Sequence, residues 1–222
     1  MTGEPPSIPR AAPTLFQFIS SVELGMDRIL DLAYRLARAG AWVGGSLVIL
    51  ASFVIGIDVL LRRFFSVSIG GSSELSGYVL AISSSWAFAL ALFDRAHIRI
   101  DTLYVVLPTR IAAVLDILSL FAMFGFVALL TWQSWRVFAQ SFRFGSHALT
   151  PLGTPLAYPQ FLWLVGLVFF LLIIVLLSIR ACIAFAQNDI ATVQKIAGSR
   201  TAQEDLDEEL DSMQRRGGAH QI

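Results

Sequence analysis

The sequence predicts an all-α integral membrane protein with four transmembrane helices, preceded by an amphipathic helix at the membrane surface. The 222-residue chain is 56% hydrophobic, and its mean hydropathy is +0.70. Only 14% of its residues are charged, whereas soluble domains carry about 25%. Four charge-free runs are nineteen residues long, and each covers about 28 Å as a helix, close to the hydrocarbon thickness of a bilayer.

The chain divides into four segments. We expect a disordered N-terminal tail (1–14), an amphipathic interfacial helix (15–38), a transmembrane domain (39–185) and a cytoplasmic acidic tail (186–222). Within the transmembrane domain, the spans are predicted at 39–61, 74–93, 112–136 and 159–181. The first thirteen residues are polar and proline-rich, unlike a cleavable signal peptide, so we expect the first span to remain as a membrane anchor.

The segment before the first span has an apolar stripe at helical spacing. Its members are Leu15, Phe18, Ile19, Val22, Met26, Ile29, Leu30, Ala33 and Leu36. Charged residues lie mostly on the opposite side, as in a helix that lies in the membrane interface. A soluble helix packed on a partner protein is the alternative.

Lysine and arginine are unequally distributed between the two sides of the predicted membrane. Twelve of the sixteen lie in the N-terminal tail, the loop between spans two and three, and the C-terminal tail: Arg10, Arg28, Arg35, Arg38, Arg95, Arg99, Arg110, Arg180, Lys195, Arg200, Arg215 and Arg216. The other two loops hold Arg62, Arg63, Arg136 and Arg143. Because cytoplasmic loops carry the excess of Lys and Arg, we expect both termini to be cytoplasmic.

Several functional classes are excluded by what the chain lacks. The single cysteine, Cys182, cannot form an internal disulfide, a CxxC pair or a cysteine zinc site. The three histidines, His97, His147 and His220, lie outside the apolar runs, where a membrane haem would need axial ligands. The net charge is zero, which gives no basic signal for nucleic acid. We therefore predict no enzymatic activity, no cofactor and no metal site.

Small residues and one tryptophan inside the spans predict helix contacts. Ser83, Ser84 and Ser85 are consecutive and so fan around span two, where we expect hydrogen bonds to the backbone and close helix packing. Gly40 with Gly44, and Ala41 with Gly45, are small-xxx-small pairs in span one. Trp86 falls in the middle of span two, so we expect it to face another helix.

Ionisable residues near a membrane are costly, and several occur at the span ends. Asp58 and Arg62 are four residues apart and share a helical face, Arg63 follows, and a short turn brings Glu74 back toward them. We expect these four residues to form a charge-paired cluster with a structural or subunit-contact role. A proton- or ion-binding carboxylate is the alternative.

A second charged group is predicted on the cytoplasmic side. Span two ends in an alternating turn that contains Arg95, His97, Arg99 and Asp101. We expect these residues to hold the turn or a partner subunit. Asp116 begins span three and is predicted to be a buried partner of Arg95, Arg99 or Arg110.

Four motifs, taken in order, resemble one protein family. They are Ile57-Asp58-Val59-Leu60-Leu61-Arg62-Arg63-Phe64-Phe65, then Glu74, then Arg95-Ala96-His97-Ile98-Arg99-Ile100-Asp101, then Pro151-Leu152-Gly153-Thr154-Pro155. Over residues 35–185 the chain resembles the small membrane subunit (DctQ type) of tripartite ATP-independent periplasmic (TRAP) transporters. The turn with His97 is the most specific of the four motifs.

This resemblance implies a multi-pass protein of the bacterial inner membrane. A periplasmic binding protein would deliver a small organic acid or related solute, and a large membrane subunit would import it with an ion gradient, usually sodium. The small subunit would act as a scaffold in the lipid bilayer. One alternative is a self-sufficient small oligomeric transporter or channel, which would need a polar stripe through the bilayer centre. Another is a membrane enzyme subunit, which the histidine positions argue against.

Overall fold

Five helices make up most of the part of the chain that the structure describes. The computed structural model describes residues 15–95 and 107–198, together with residues 210 and 213. The helices are α1 (Leu15–Phe65), α2 (Ser72–Phe93), α3 (Thr109–Phe144), α4 (Ala157–Ala186) and α5 (Ile190–Ala197). Four helices are long and apolar enough to cross a membrane: Arg28–Phe65 of α1, and all of α2, α3 and α4. The predicted all-α fold with four spans is confirmed.

Helix α1 differs from the expected pair of a separate amphipathic helix and a first span. It is one uninterrupted helix of 51 residues, about 76 Å long at 1.5 Å per residue, against a hydrocarbon core of about 30 Å. The helix continues through the boundary between the two predicted segments and through Gly40, which follows it. The position of residues 15–38 at the membrane surface stays a prediction.

Part of the amphipathic stripe packs against the rest of this chain. Met26, Leu30 and Ala33 of the stripe are buried in the main apolar core together with Ala37, while Ile29 and Leu36 of the same stripe are about half exposed. The core residues that they join include Leu92 of α2 and Leu177 and Ala181 of α4. The N-terminal half of α1 therefore covers one end of the helical domain.

The spans form an open layer rather than a closed bundle. α1 packs along α2, α2 along α4, and α4 along α3, while α1 touches α4 at few positions. α4 is the central helix: 44% of its most apolar window is buried, against 17–22% for the other spans. Apolar side chains such as Trp42, Phe53 and Phe126 remain largely exposed. Patches of this kind face lipid or another membrane protein.

Gly40 and Gly44 let α1 and α2 approach closely, as predicted, whereas a Cβ on Gly45 would meet nothing within 4 Å. A Cβ on Gly44 would lie 3.1 Å from the Cα of Ser83, and the Ser83 hydroxyl donates to the Gly44 carbonyl at 3.0 Å. Ser84 and Ser85 donate to carbonyls of their own helix. The expected roles of the three serines are confirmed.

Trp86 joins three helices, which confirms that it faces protein. Its ring packs against Phe169 of α4, with 5.7 Å between ring centroids, and it contacts Gly40 of α1. Its indole N–H donates to the Leu162 carbonyl at 3.4 Å. On α4, Gly166 lies directly against Ser85 and Trp86.

The short helix α5 is tied to the end of α4. Asp189 is its N-cap and accepts hydrogen bonds from the hydroxyl of Thr192 at 2.5 Å and the backbone N–H of Thr192 at 3.1 Å. These bonds, the hydroxyl first, lower the pKa of Asp189 below its usual value. Val193 is fully buried against Ala113 of α3 and Ala184 of α4, so α5 covers the end of these two helices.

Candidate functional site: the α1–α2 hairpin and the loop after α3

Asp58 is the centre of the hairpin between α1 and α2. Only 1% of it is exposed. One carboxylate oxygen accepts from the Ser68 hydroxyl at 3.0 Å and the Ile69 N–H at 2.7 Å. The other accepts from the Arg62 guanidinium at 2.6 Å and the Ser72 hydroxyl at 2.8 Å. Asp58 therefore joins the end of α1, the turn and the start of α2.

The turn reaches this geometry through left-handed backbone positions. Ser66, Gly70 and Gly71 have φ values of 56°, 64° and 143°. Gly71 is also crowded, because a Cβ there would lie 3.2 Å from a methyl group of Leu152. A side chain at Gly71 would be strained by both its φ and this contact.

Glu74 binds the loop between α3 and α4. Its carboxylate accepts from the Tyr78 hydroxyl at 2.8 Å and from the Thr150 hydroxyl. Thr154 of the same loop also donates to it. The loop is itself ordered by an isolated β-bridge between His147 and Pro155. Glu74, at the start of α2, therefore links the α1–α2 hairpin to the loop between α3 and α4.

The prediction of one charge-paired cluster is wrong in its pairing. Asp58 and Arg62 form an ion pair, but Glu74 belongs to a separate network with the loop. Within residues 15–95 and 107–198, neither Glu74 nor Arg63 forms an ion pair. The Arg62 side chain is 62% exposed and Arg63 is exposed as well. Most hydrogen bonds to the Asp58 and Glu74 carboxylates therefore come from neutral hydroxyl and N–H donors rather than from arginines.

The geometry suits a structural role better than ion binding. A carboxylate offers about four acceptor directions, and the two oxygens of Asp58 already accept four hydrogen bonds. Three clefts of about 250, 320 and 420 Å³ open on the described helices, and none is lined by Asp58 or Glu74, although the smallest borders the hairpin at Ser73 and Ser76. In the described part of the chain, no group of three or more His, Cys, Asp or Glu residues lies close enough to hold a metal ion.

The comparison with protein families now decides the identity of the chain. The family model described as "Tripartite ATP-independent periplasmic transporters, DctQ component" matches residues 51–183. This chain belongs to the DctQ family. Comparison with curated proteins and comparison with solved structures each give no match. The resemblance stated from the motifs is therefore confirmed.

The match covers the part of this DctQ-family subunit that contains the hairpin. It begins two helical turns before Asp58 and ends at Ile183, near the end of α4. The N-terminal half of α1 and helix α5 lie outside it. The family comprises transporter components rather than enzymes. Together with the four apolar helices, it indicates a multi-pass protein of the bacterial inner membrane.

Two members of the second predicted group of charges, Arg95 and Asp116, lie at the opposite end of the DctQ-family subunit. Asp116 is 1% exposed, and both Asp116 and Arg95 have polar or electrostatic partners. His97, Arg99 and Asp101 lie outside the described residues. The pairing of Asp116 with Arg95, Arg99 or Arg110, and the role of the turn, stay predictions.

Sequence reasoning missed most partners of the two hairpin carboxylates. Ser68 and Ser72 contact Asp58 across ten and fourteen positions, and the serine-rich turn was the only signal for them. Tyr78 lies four residues after Glu74, so helical spacing was sufficient to find that contact. Thr150 is 76 positions from Glu74, and no local pattern indicates that contact.

Proposed function

We propose that this DctQ-family subunit is a scaffold for the large membrane subunit of a TRAP-type uptake transporter. The large subunit imports a small organic acid or related solute, which a periplasmic binding protein delivers. An ion gradient, with sodium as the coupling ion, drives the import. These finer assignments follow from what the family resemblance implies.

The observation that carries the scaffold proposal is the distribution of buried charge. Among the described residues, Asp58 and Asp116 are the two buried charged side chains, and they lie at opposite ends of the helical layer. Between these ends, α4 buries apolar residues such as Phe170, Ile173 and Ile174. A solute path needs polar groups at the bilayer centre, so the layer favours a supporting role over transport through this chain.

The exposed faces support the same proposal. α1 and α3 are the outer helices of the layer and present many large apolar side chains. A flat layer leaves both broad faces available for lipid or for the helices of a partner. A well-packed central helix between two outer helices with exposed apolar faces suits a support that the large subunit packs against.

Transport should depend on the large subunit. We expect that the purified chain in liposomes, with an ion gradient and a binding protein, moves no solute, because the described helices bury no charged side chain between Asp58 and Asp116. Radiolabelled solute uptake should appear when the large membrane subunit is added. Uptake by this chain alone would overturn the scaffold proposal and favour a self-sufficient transporter.

We propose that both termini are cytoplasmic, which thiol labelling tests. The exposed Cys182 is first replaced by serine, and single cysteines are then introduced as Leu149→Cys and Thr109→Cys, both at exposed positions. A membrane-impermeant thiol reagent should label Leu149→Cys in intact cells and Thr109→Cys only after permeabilisation. The reverse pattern, or equal labelling in intact cells, contradicts the orientation.

A further inference from the structure

A cleft of about 420 Å³ opens where four helices meet at one end of the layer. Its walls come from α1, the end of α2, the end of α4 and α5, with Tyr34, Phe93, Arg180 and Thr192 among the lining residues. The cleft lies at the opposite end from the hairpin, where the apolar part of α2 ends at Phe93. Its volume is within the range of small-ligand sites, about 300–1,000 Å³.

The inner wall of the cleft is apolar and well packed. Leu30, Leu92 and Leu177 line it, and each is only 6% exposed. Tyr34 stands edge-on to Phe93 with 5.6 Å between ring centroids. The exposed edges of these side chains give the cleft an apolar base on which the apolar part of a ligand can lie, and a small polar ion would lose hydration against them.

The outer wall carries groups of both charges. Arg180 already has a partner within the protein, and its guanidinium carries a planar array of five N–H donors, a geometry that matches phosphate oxygens. Tyr34 and Thr192 add hydroxyl groups. On the other side, Asp31 provides a carboxylate that is 60% exposed and uses one oxygen to accept from Arg35 at 2.8 Å. The cleft thus combines a phosphate-binding group, a cation-binding group and an apolar base.

We propose that this cleft binds a phospholipid with a phosphoethanolamine headgroup. The phosphate is held by Arg180, the primary amine donates to Asp31, and the glycerol end of the acyl chains lies on the leucine wall. The source of the ligand is the bilayer, because the cleft lies where the spans end and its base is apolar.

Headgroup chemistry makes this proposal specific. The quaternary ammonium of choline has no N–H to donate to Asp31, and a glycerol headgroup has no positive charge. Loss of a charge-assisted hydrogen bond lowers binding by about tenfold. We therefore expect about tenfold weaker binding of phosphatidylcholine and phosphatidylglycerol than of phosphatidylethanolamine.

The test is native mass spectrometry of the delipidated full-length chain, titrated with each of the three lipids at matched acyl chains. We expect one phosphatidylethanolamine to bind first, with about a tenfold preference. Asp31→Asn should remove the preference, and Arg180→Gln should weaken all three lipids. Arg143→Gln is the matched control, because Arg143 is an exposed arginine at the end of α3 that does not line the cleft.

The source of the ligand is tested by competition. A large excess of soluble glycerophosphoethanolamine should not displace the bound lipid, because it has no acyl chains for the leucine wall. Displacement would assign the cleft to a free phosphate ester and overturn the lipid proposal. Equal occupancy by all three lipids in the native chain would also overturn it. If Arg180→Gln does not fold, the exposed Asp31→Asn substitution decides the question by selectivity alone.

Discussion

Replacing Asp58 with alanine should destabilise the protein by about 3 kcal/mol or more. The substitution removes the acceptor of four hydrogen bonds. The Ser72 hydroxyl is buried and would lose its acceptor together with the Ile69 N–H. A hydrogen bond to a charged group contributes about 1.5–3 kcal/mol, so these two donors account for most of the loss.

The chain offers a matched control for this substitution. Asp31 and Arg35 form the same aspartate–arginine pair, four residues apart in the same helix, but their side chains are 60% and 75% exposed. An exposed pair contributes about 0–1 kcal/mol. Thermal unfolding in detergent without added phospholipid should therefore show a much larger loss for Asp58→Ala than for Asp31→Ala.

Arg62→Ala separates the carboxylate from its ionic partner. Because the Arg62 side chain is 62% exposed, and the other three donors to Asp58 remain, we expect a loss below about 1 kcal/mol. The loss of stability is expected to be larger for Asp58→Ala than for Arg62→Ala because the hydroxyl and N–H donors, rather than the ion pair, stabilise the hairpin. Similar losses for Asp58→Ala, Arg62→Ala and Asp31→Ala would show that the buried network does not hold the hairpin.

The second large effect is expected at the crossing of α2 and α4. A Cβ on Gly166 would lie 3.0 Å from the Ser85 Cβ and 2.9 Å from Trp86, and it would also contact the Ser85 hydroxyl oxygen. Gly166→Ala should therefore push α2 away from the central helix. Overpacking of this kind costs about 1–3 kcal/mol, and Gly166→Leu should prevent the two helices from packing at all.

Gly125→Ala is the control for Gly166→Ala. A Cβ on Gly125 would meet nothing within 4 Å, and Gly125 lies inside α3. Alanine is favoured over glycine in a helix interior by up to about 1 kcal/mol, so this substitution should be neutral or stabilising. Unfolding curves of the full-length chain should move in opposite directions for the two variants. A shift of the same sign and size would contradict the close approach at Gly166.

Features set by local spacing could be read from the sequence. The Asp58–Arg62 pair needs only one turn of a helix, and it is present. The four spans were predicted from the length and apolarity of their runs. The helix contacts of Trp86 and of the three consecutive serines were predicted from the position of these residues in the middle of span two. The physical reason is that a lipid-exposed backbone must satisfy its own hydrogen bonds, which requires helices there.

Features that depend on distant segments could not be predicted in this way. The layer order α1–α2–α4–α3, the continuity of α1, and the contact of Glu74 with Thr150 all depend on how the helices pack and on the course of the connecting loop. Glu74 could have bound Arg62 or Arg63 by charge alone. The packed loop instead brings hydroxyl donors to it, and neither arginine pairs with it.

Hydropathy, charge and motif order are properties of the chain, so they were sufficient to predict a four-span membrane subunit of the DctQ type. The donors that satisfy the buried Asp58 carboxylate, and the position of the cleft with polar and apolar walls, became clear from helix packing. Both depend on segments that are distant in sequence, and their contacts form only after helix packing has placed the end of one element beside another.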